Sequence, residues 1–433
     1  MKKTSLILIA ILTLLLLLSS CSMLSKKDFD AGFGGGFGGS FAPGDAAGAP
    51  EMDSGDSDIG DADDSDNSVT LPAGMITAGA WNDNTFYNDW VELFDQGESK
   101  NGKFYDYTAK KLSWGYNSLK RVSVSVKNGE DPVMGATVVA YGTDDNKLFS
   151  AVTDAQGNAY LFQTAEEGKI SVTSGGETVF VDFTAQERAL SVDVSSSSNK
   201  LNVIEIMLVV DVTGSMSDEL EFLKNEIADV INRIAANDTE TIIKLAMLFY
   251  RDTDDSVPFE YYDFKDVTDV DGLDLQQAAL NTQRASGGGD YPEAVDKALE
   301  IAVGKQWSTG ATTKIIFHVL DAPAHDDNKN KKLLTDSVEK AAELGIRICP
   351  IICSGSSTDT EYIMREAAIY TGGTFIFVTD DSGIGGSHHD PELPNATVEL
   401  LNSLMVRLVN GYHTGTFADP VYWRDDPGCA TKQ

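Results

Sequence analysis

The apolar run 203–210 ends on Asp211, and the next residues are Val212, Thr213, Gly214 and Ser215. Such a run, closed by a glycine-containing turn, predicts a strand buried in a parallel sheet. Asp211, Thr213 and Ser215 then alternate along the turn, so one carboxylate and two hydroxyls converge on a point. Oxygen donors of this kind suit Mg²⁺, Ca²⁺ or Mn²⁺ rather than zinc or copper. Behind the turn, Leu220, Leu223, Ile227, Val230, Ile231 and Ile234 recur at helical spacing over residues 217–236. The unit is therefore strand, turn, helix, with hard donors at the carboxyl end of the strand.

A second apolar run, 315–320, closes on Asp321, followed by Ala322 and Pro323. Open α/β sheets bind ligands beyond the carboxyl ends of strands, where the strand order reverses, and two acidic strand ends fit that geometry. Together with the glycine-rich loop 286–294, these motifs resemble the metal-ion-dependent adhesion site of a von Willebrand factor type A domain. The resemblance covers residues 200–412. It implies an α/β fold, a doubly wound and mostly parallel sheet with helices on both faces. It also implies a protein-binding role, in which a partner's Glu or Asp carboxylate completes the shell of a Mg²⁺ (or Ca²⁺ or Mn²⁺). Asp211, Thr213, Ser215 and Asp321 carry over directly as metal ligands. Where the common pattern has a threonine, Asp290 is the nearest oxygen donor here, either as a ligand or through a water it holds.

Other elements of this region follow from periodicity: strands at 242–250, 259–264 (an edge), 346–352 and 374–378, and helices at 333–344, 362–370 and 395–409. Pro292 suits the first position of a helix running to 303, with Tyr291 as its cap. Pro350 inside its strand breaks the rule that proline avoids central ladders. His318, within a strand, reads as a packed core histidine; His388 and His389 read as solvated loop residues.

Upstream, residues 118–195 change to a period of two, with Val122, Val124 and Val126 alternating with serines. Short strands separated by Gly, Asn and Asp turns predict a small all-β sandwich. It resembles carboxypeptidase-regulatory-like or transthyretin-like domains, with Asp154 as a turn former. Residues 195–198 read as a linker. Residues 69–117 are expected to form a short helical segment, with Trp81, Trp90, Phe94 and Trp114 as packing residues, docked on the following domain. Residues 413–433 remain as a tail.

At the start, Lys2 and Lys3 precede an apolar run that reaches Leu18, too short to span a bilayer. Leu18, Ser19, Ser20 and Cys21 resemble a bacterial lipobox, which implies a signal peptide over 1–20 and lipid on Cys21. That places the protein on the bacterial cell envelope, at the outer membrane or cell surface, without a spanning helix. Residues 21–68 are rich in Gly, Ser and Asp and read as a solvated tether. The chain carries a net charge of −34, which becomes −36 when Lys2 and Lys3 leave with the signal. Such a balance disfavours nucleic acid as a partner. No phosphate-binding Gly-x₄-Gly-Lys loop, His-Glu-x-x-His motif or Gly-x-Ser-x-Gly elbow occurs, so an enzyme is not expected. The alternatives are an envelope lipoprotein whose metal only stabilises it and, less favoured, a hydrolase using Ser215. Beyond Cys21 there are Cys349, Cys353 and Cys429; the first two are too far apart along one strand to bond, and either has Cys429 as a possible partner.

Overall fold

The structure is a computed structural model that describes residues 73–429 except 96–101, 109–112, 198, 238–239, 384–385, 389–390, 392 and 394–395. Cys21, the signal and tether before residue 69, and His389 lie outside the described residues. In chain order the strands are β1 (Thr77–Trp81), the eight strands β2 to β9 between Val122 and Asp193, β10 (Lys200–Asp211), β11 (Ile242–Tyr250), β12 (Phe259–Asp266), β13 (Ala311–Leu320), β14 (Ile346–Ile352), β15 (Phe375–Val378) and β16 (Glu399–Leu400). The helices are α1 (Tyr87–Glu92), α2 (Ser217–Asn237), α3 (Val270–Thr282), α4 (Val295–Val303), α5 (Asn328–Leu344), α6 (Thr358–Thr371) and α7 (Leu401–Thr414).

The main sheet has the order β12-β11-β10-β13-β14-β15-β1-β16. Strands β11, β10, β13, β14 and β15 run parallel, while β12 is an antiparallel edge. Along β10 the side chains alternate between two cores. Met207 and Val209 join one with α4, α5 and α6, whereas Ile206, Leu208 and Val210 join the other with α2 and α7. Burial on both faces is why the run is apolar at nearly every position. Residues 122–193 form two four-stranded sheets, with Val122, Val124 and Val126 inward as their alternation requires.

Pro350 has a local explanation. The Ile348 N–H faces Thr371, at 3.0 Å from its hydroxyl, rather than β13. Two residues on, Pro350 faces that same side, and pairing with β15 begins only at Ile351. The missing N–H thus falls where the ladder has not started.

Several expectations change. The described part of residues 69–117 holds the short helix α1 and a 3₁₀ turn at Tyr105–Thr108, but it also supplies β1, which pairs antiparallel with both β15 and β16. On α2, Glu226 accepts hydrogen bonds from the N–H groups of Gly74, Met75 and Ile76 at 3.0, 2.8 and 3.1 Å. Asp83 pairs with Arg365 of α6 at 2.6 and 3.0 Å, and Glu361 meets the same guanidinium at 3.0 Å, all of them buried. The sandwich is also fused to the larger sheet's core, since Phe162 stacks on Tyr370 at 4.6 Å and Phe149 meets its edge at 5.5 Å. The range 200–412 thus packs against both the segment before residue 117 and the sandwich. Helix α4 starts at Val295 with Ala294 before it, not at Pro292. The backbone of Glu293 is instead bridged to Ala324, its N–H donating to Pro323 O at 2.9 Å. Helix α3 was not anticipated. Cys349 and Cys353 are free, buried thiols, and Cys429 is buried in a small cluster with Leu400 and Trp423.

Because Arg365 and Asp83 are buried together, breaking the pair leaves a desolvated charge with only Glu361 to face it. Asp83→Ala should cost about 3 kcal/mol of unfolding free energy in chemical denaturation. A change below about 0.5 kcal/mol, the range of ordinary surface substitutions, would show that the arm is not held this way.

Candidate metal centre

The parallel register sets Val210 beside Val319, so Asp211 and Asp321 leave the sheet side by side at its carboxyl edge. Strand order reverses here, since β10 has β11 on one side and β13 on the other. Asp211 Oδ1 accepts from the Thr213 N–H at 2.8 Å and from its hydroxyl at 2.7 Å. Thr213 Oγ1 lies 3.2 Å from Ser215 Oγ, and Ser215 hydrogen-bonds Asp321. The four residues predicted from the motif thus meet at one place.

The glycine-rich loop closes the third side. Its Ser286 N–H donates to Val212 O at 2.9 Å, and Gly287 O accepts from the Gly214 N–H at 3.2 Å. Gly287 and Gly288 have φ of +78° and +77°, which side chains resist. A Cβ on Gly287 would sit 2.3 Å from Asp255 Oδ1, and one on Gly288 would sit 2.8 Å from Glu293 Oε1. These residues line an open cleft of about 310 Å³ with Asp290, Tyr291, Glu293, Asp321 and Gly355. Asp290, the expected donor, stands exposed on its rim. Glu293 is instead the buried acid, 4% exposed. Sequence reasoning passed over it because a Glu beside Pro292 looks like a helix start, and the bridge to Ala324 that turns it inward is a long-range contact.

Electrostatics fit a cation. Asp211 Oδ2, Asp321 Oδ1 and Glu293 Oε2 are all buried without a hydrogen-bond partner, a costly state for carboxylates. Burial, and then the Asp321 charge, push the Asp211 carboxyl up to about 7. Burial, followed by the charges of Asp211, Asp252, Asp321 and Asp255, pushes Glu293 up to about 9. Asp321 is raised by burial as well. Among the described residues, no three His, Cys, Asp or Glu side chains close to ligand distance around one point. A shell of two carboxylates and two hydroxyls does not need a third. Asp211, Asp321, Thr213 and Ser215 are the residues that would hold a hard divalent ion.

Nearby, Glu219 in the first turns of α2 accepts from the Ser354 N–H at 2.9 Å and from its hydroxyl. The His388 side chain is only 4% exposed, between Glu219 at 3.7 Å and Asp380 at 2.7 Å, so it is not the solvated residue expected. Burial alone would lower His388, but the neighbouring carboxylates of Glu219 and Asp380 raise it above the usual histidine range. His318 is fully buried and meets the Tyr250 hydroxyl at 3.1 Å, as a core histidine.

A pH dependence follows. Unfolded Asp and Glu titrate near about 4, whereas here Asp211 and Glu293 keep protons to about 7 and 9. The folded state binds more protons across that window, so metal-free stability should fall as pH rises from about 5 to 9. A divalent ion displaces those protons. Saturating Mg²⁺ should flatten the slope, and Mg²⁺ uptake at neutral pH should release protons, measured calorimetrically in buffers of different ionisation enthalpy. Equal slopes with Mg²⁺ and with chelator would contradict a shared site.

Comparison with known proteins agrees with this geometry. A family model of the von Willebrand factor A domain matches residues 205–380. The alpha-protein kinase vwkA of Dictyostelium discoideum is 24% identical over 160 residues, 37% of this chain and 24% of that protein. The putative ariadne-like RING finger protein R811 of Acanthamoeba polyphaga mimivirus is 27% identical over 219 residues, 47% of this chain and 20% of that protein. The chain thus spans a quarter or less of either relative's length. Among solved structures, BatB of Bacteroides thetaiotaomicron is similar at 15% identity and a TM-score of 0.31, over 40% of this chain and 90% of that one. Residues 205–380 of this chain form a von Willebrand factor A domain.

Proposed function

We propose that this protein is a membrane-anchored binding module whose A domain engages a protein partner through a divalent cation. The observation that carries the reading is the meeting of Thr213, Ser215 and Asp321 in one open cleft, with Asp211 buried behind Thr213 and bonded to it, and with buried carboxylate oxygens left unpaired. A cation held there offers an electrophilic coordination point to an oxygen ligand. The chain's own residues orient and balance it: Thr213 and Ser215 bring neutral hydroxyls, and Asp211 and Asp321 bring charge from rigid strand ends. The open side of the cleft leaves room for a Glu or Asp carboxylate from the partner. We read the module as non-catalytic, because Ser215 shares its hydrogen bonds with Thr213 and Asp321 rather than with a histidine or lysine.

Anchoring rests on Cys21 and the apolar run before it. Among the described residues, no helix is long and apolar enough to cross a membrane. The acidic balance of the chain supports a protein partner over nucleic acid.

Two outcomes are expected. Asp211→Ala should abolish the difference in partner capture between Mg²⁺ and chelator while leaving the circular dichroism spectrum unchanged, since apolar burial holds β10. Undiminished Mg²⁺-dependent capture by this variant would remove the site from the mechanism. Cys21→Ala should move the protein from the membrane fraction to a soluble or unprocessed form. Unchanged partition and mature mass would exclude lipidation.

A further inference from the structure

We infer that Glu293 is the third anionic group of this metal centre, reaching the cation through one of its bound waters, and that it lets the site keep its ion when no partner is present. The inference rests on the cation-binding reading of the cleft.

The backbone of Glu293 is bridged to Ala324 and donates to Pro323 O. Its side chain is turned inward: the residue is 4% exposed, Oε2 is buried without a partner, and the carboxylate lines the cleft beside Thr213 and Gly288. Among the described residues, no three carboxylates close to ligand distance around one point, so we assign Glu293 to the outer layer of the site that Asp211 and Asp321 share. An outer carboxylate acts by accepting hydrogen bonds from ion-bound water and by adding charge.

Charge balance in the cleft argues the same way. The nearby cation Arg251 spends its guanidinium on the carbonyl oxygens of Ser286, Val257 and Arg284. Three carboxylates, each with an orphaned oxygen, are thus left for the ion to satisfy. With two of them the ion would be neutralised and easily shared; with three it is held more tightly, and its pull on an incoming anion is weaker. Asp290, exposed at the rim, lacks the desolvation that makes a charge count.

The test compares Glu293→Gln and Asp290→Asn with the parent, by calorimetric Mg²⁺ titration and by thermal unfolding in chelator and in Mg²⁺. Glu293→Gln should lose about tenfold or more in Mg²⁺ affinity, the range for outer-layer partners of metal sites. It should also lose most of the Mg²⁺-induced rise in Tm, while its Tm in chelator is no lower than the parent's. Asp290→Asn should stay within about twofold of the parent, as an exposed, solvent-screened charge does. Parental affinity in Glu293→Gln, or an equal loss in Asp290→Asn, overturns the inference and leaves the cation-binding reading intact. A parent that takes up no Mg²⁺ overturns both.

Discussion

The parallel pairing of β10 with β13 is the interaction on which the rest of this molecule depends. Both strands are buried on both faces, and each large apolar side chain so buried is worth about 1.5–3 kcal/mol. That frame is rigid enough to carry Asp211 and Asp321 at its edge with carboxylate oxygens unpaired. Left to themselves, buried carboxylates would protonate or draw in water. Here the strands end side by side, so the carboxylates stay together and their repulsion becomes a standing demand for positive charge.

Helix α2 links that edge to the rest of the chain. It begins just after Ser215, and its Glu219 grips Ser354 and meets His388. Two turns on, Glu226 grips the arm that becomes β1. The donor-bearing turn, the loop of Ser354 and the incoming N-terminal arm are thus tied to one rigid element. The sandwich is joined from the opposite face, where Tyr370 of α6 receives Phe162 and Phe149. Segments that look separate along the sequence are therefore layers of a shared core, and the site rests on all of them.

The elements legible in the sequence were those whose signal is local. The period of β10, the helical spacing of α2, the alternation of Val122, Val124 and Val126, and the turn donors Asp211, Thr213 and Ser215 all report on neighbours a few residues away. Asp321 was legible as well, because an apolar run ending on an acid is a local pattern that matches the first. The sequence by itself determined an A-type sheet with hard donors at its carboxyl edge. Tertiary structure decided the rest: that β1 enters between β15 and β16, that Pro350 falls where a ladder has not begun, that His388 is buried between two acids, and that Glu293 rather than Asp290 faces inward. Each depends on a partner tens to hundreds of residues away. Periodicity says that a side chain is buried or a strand is paired, but not against what, and an acid in a loop looks solvated until another loop closes over it.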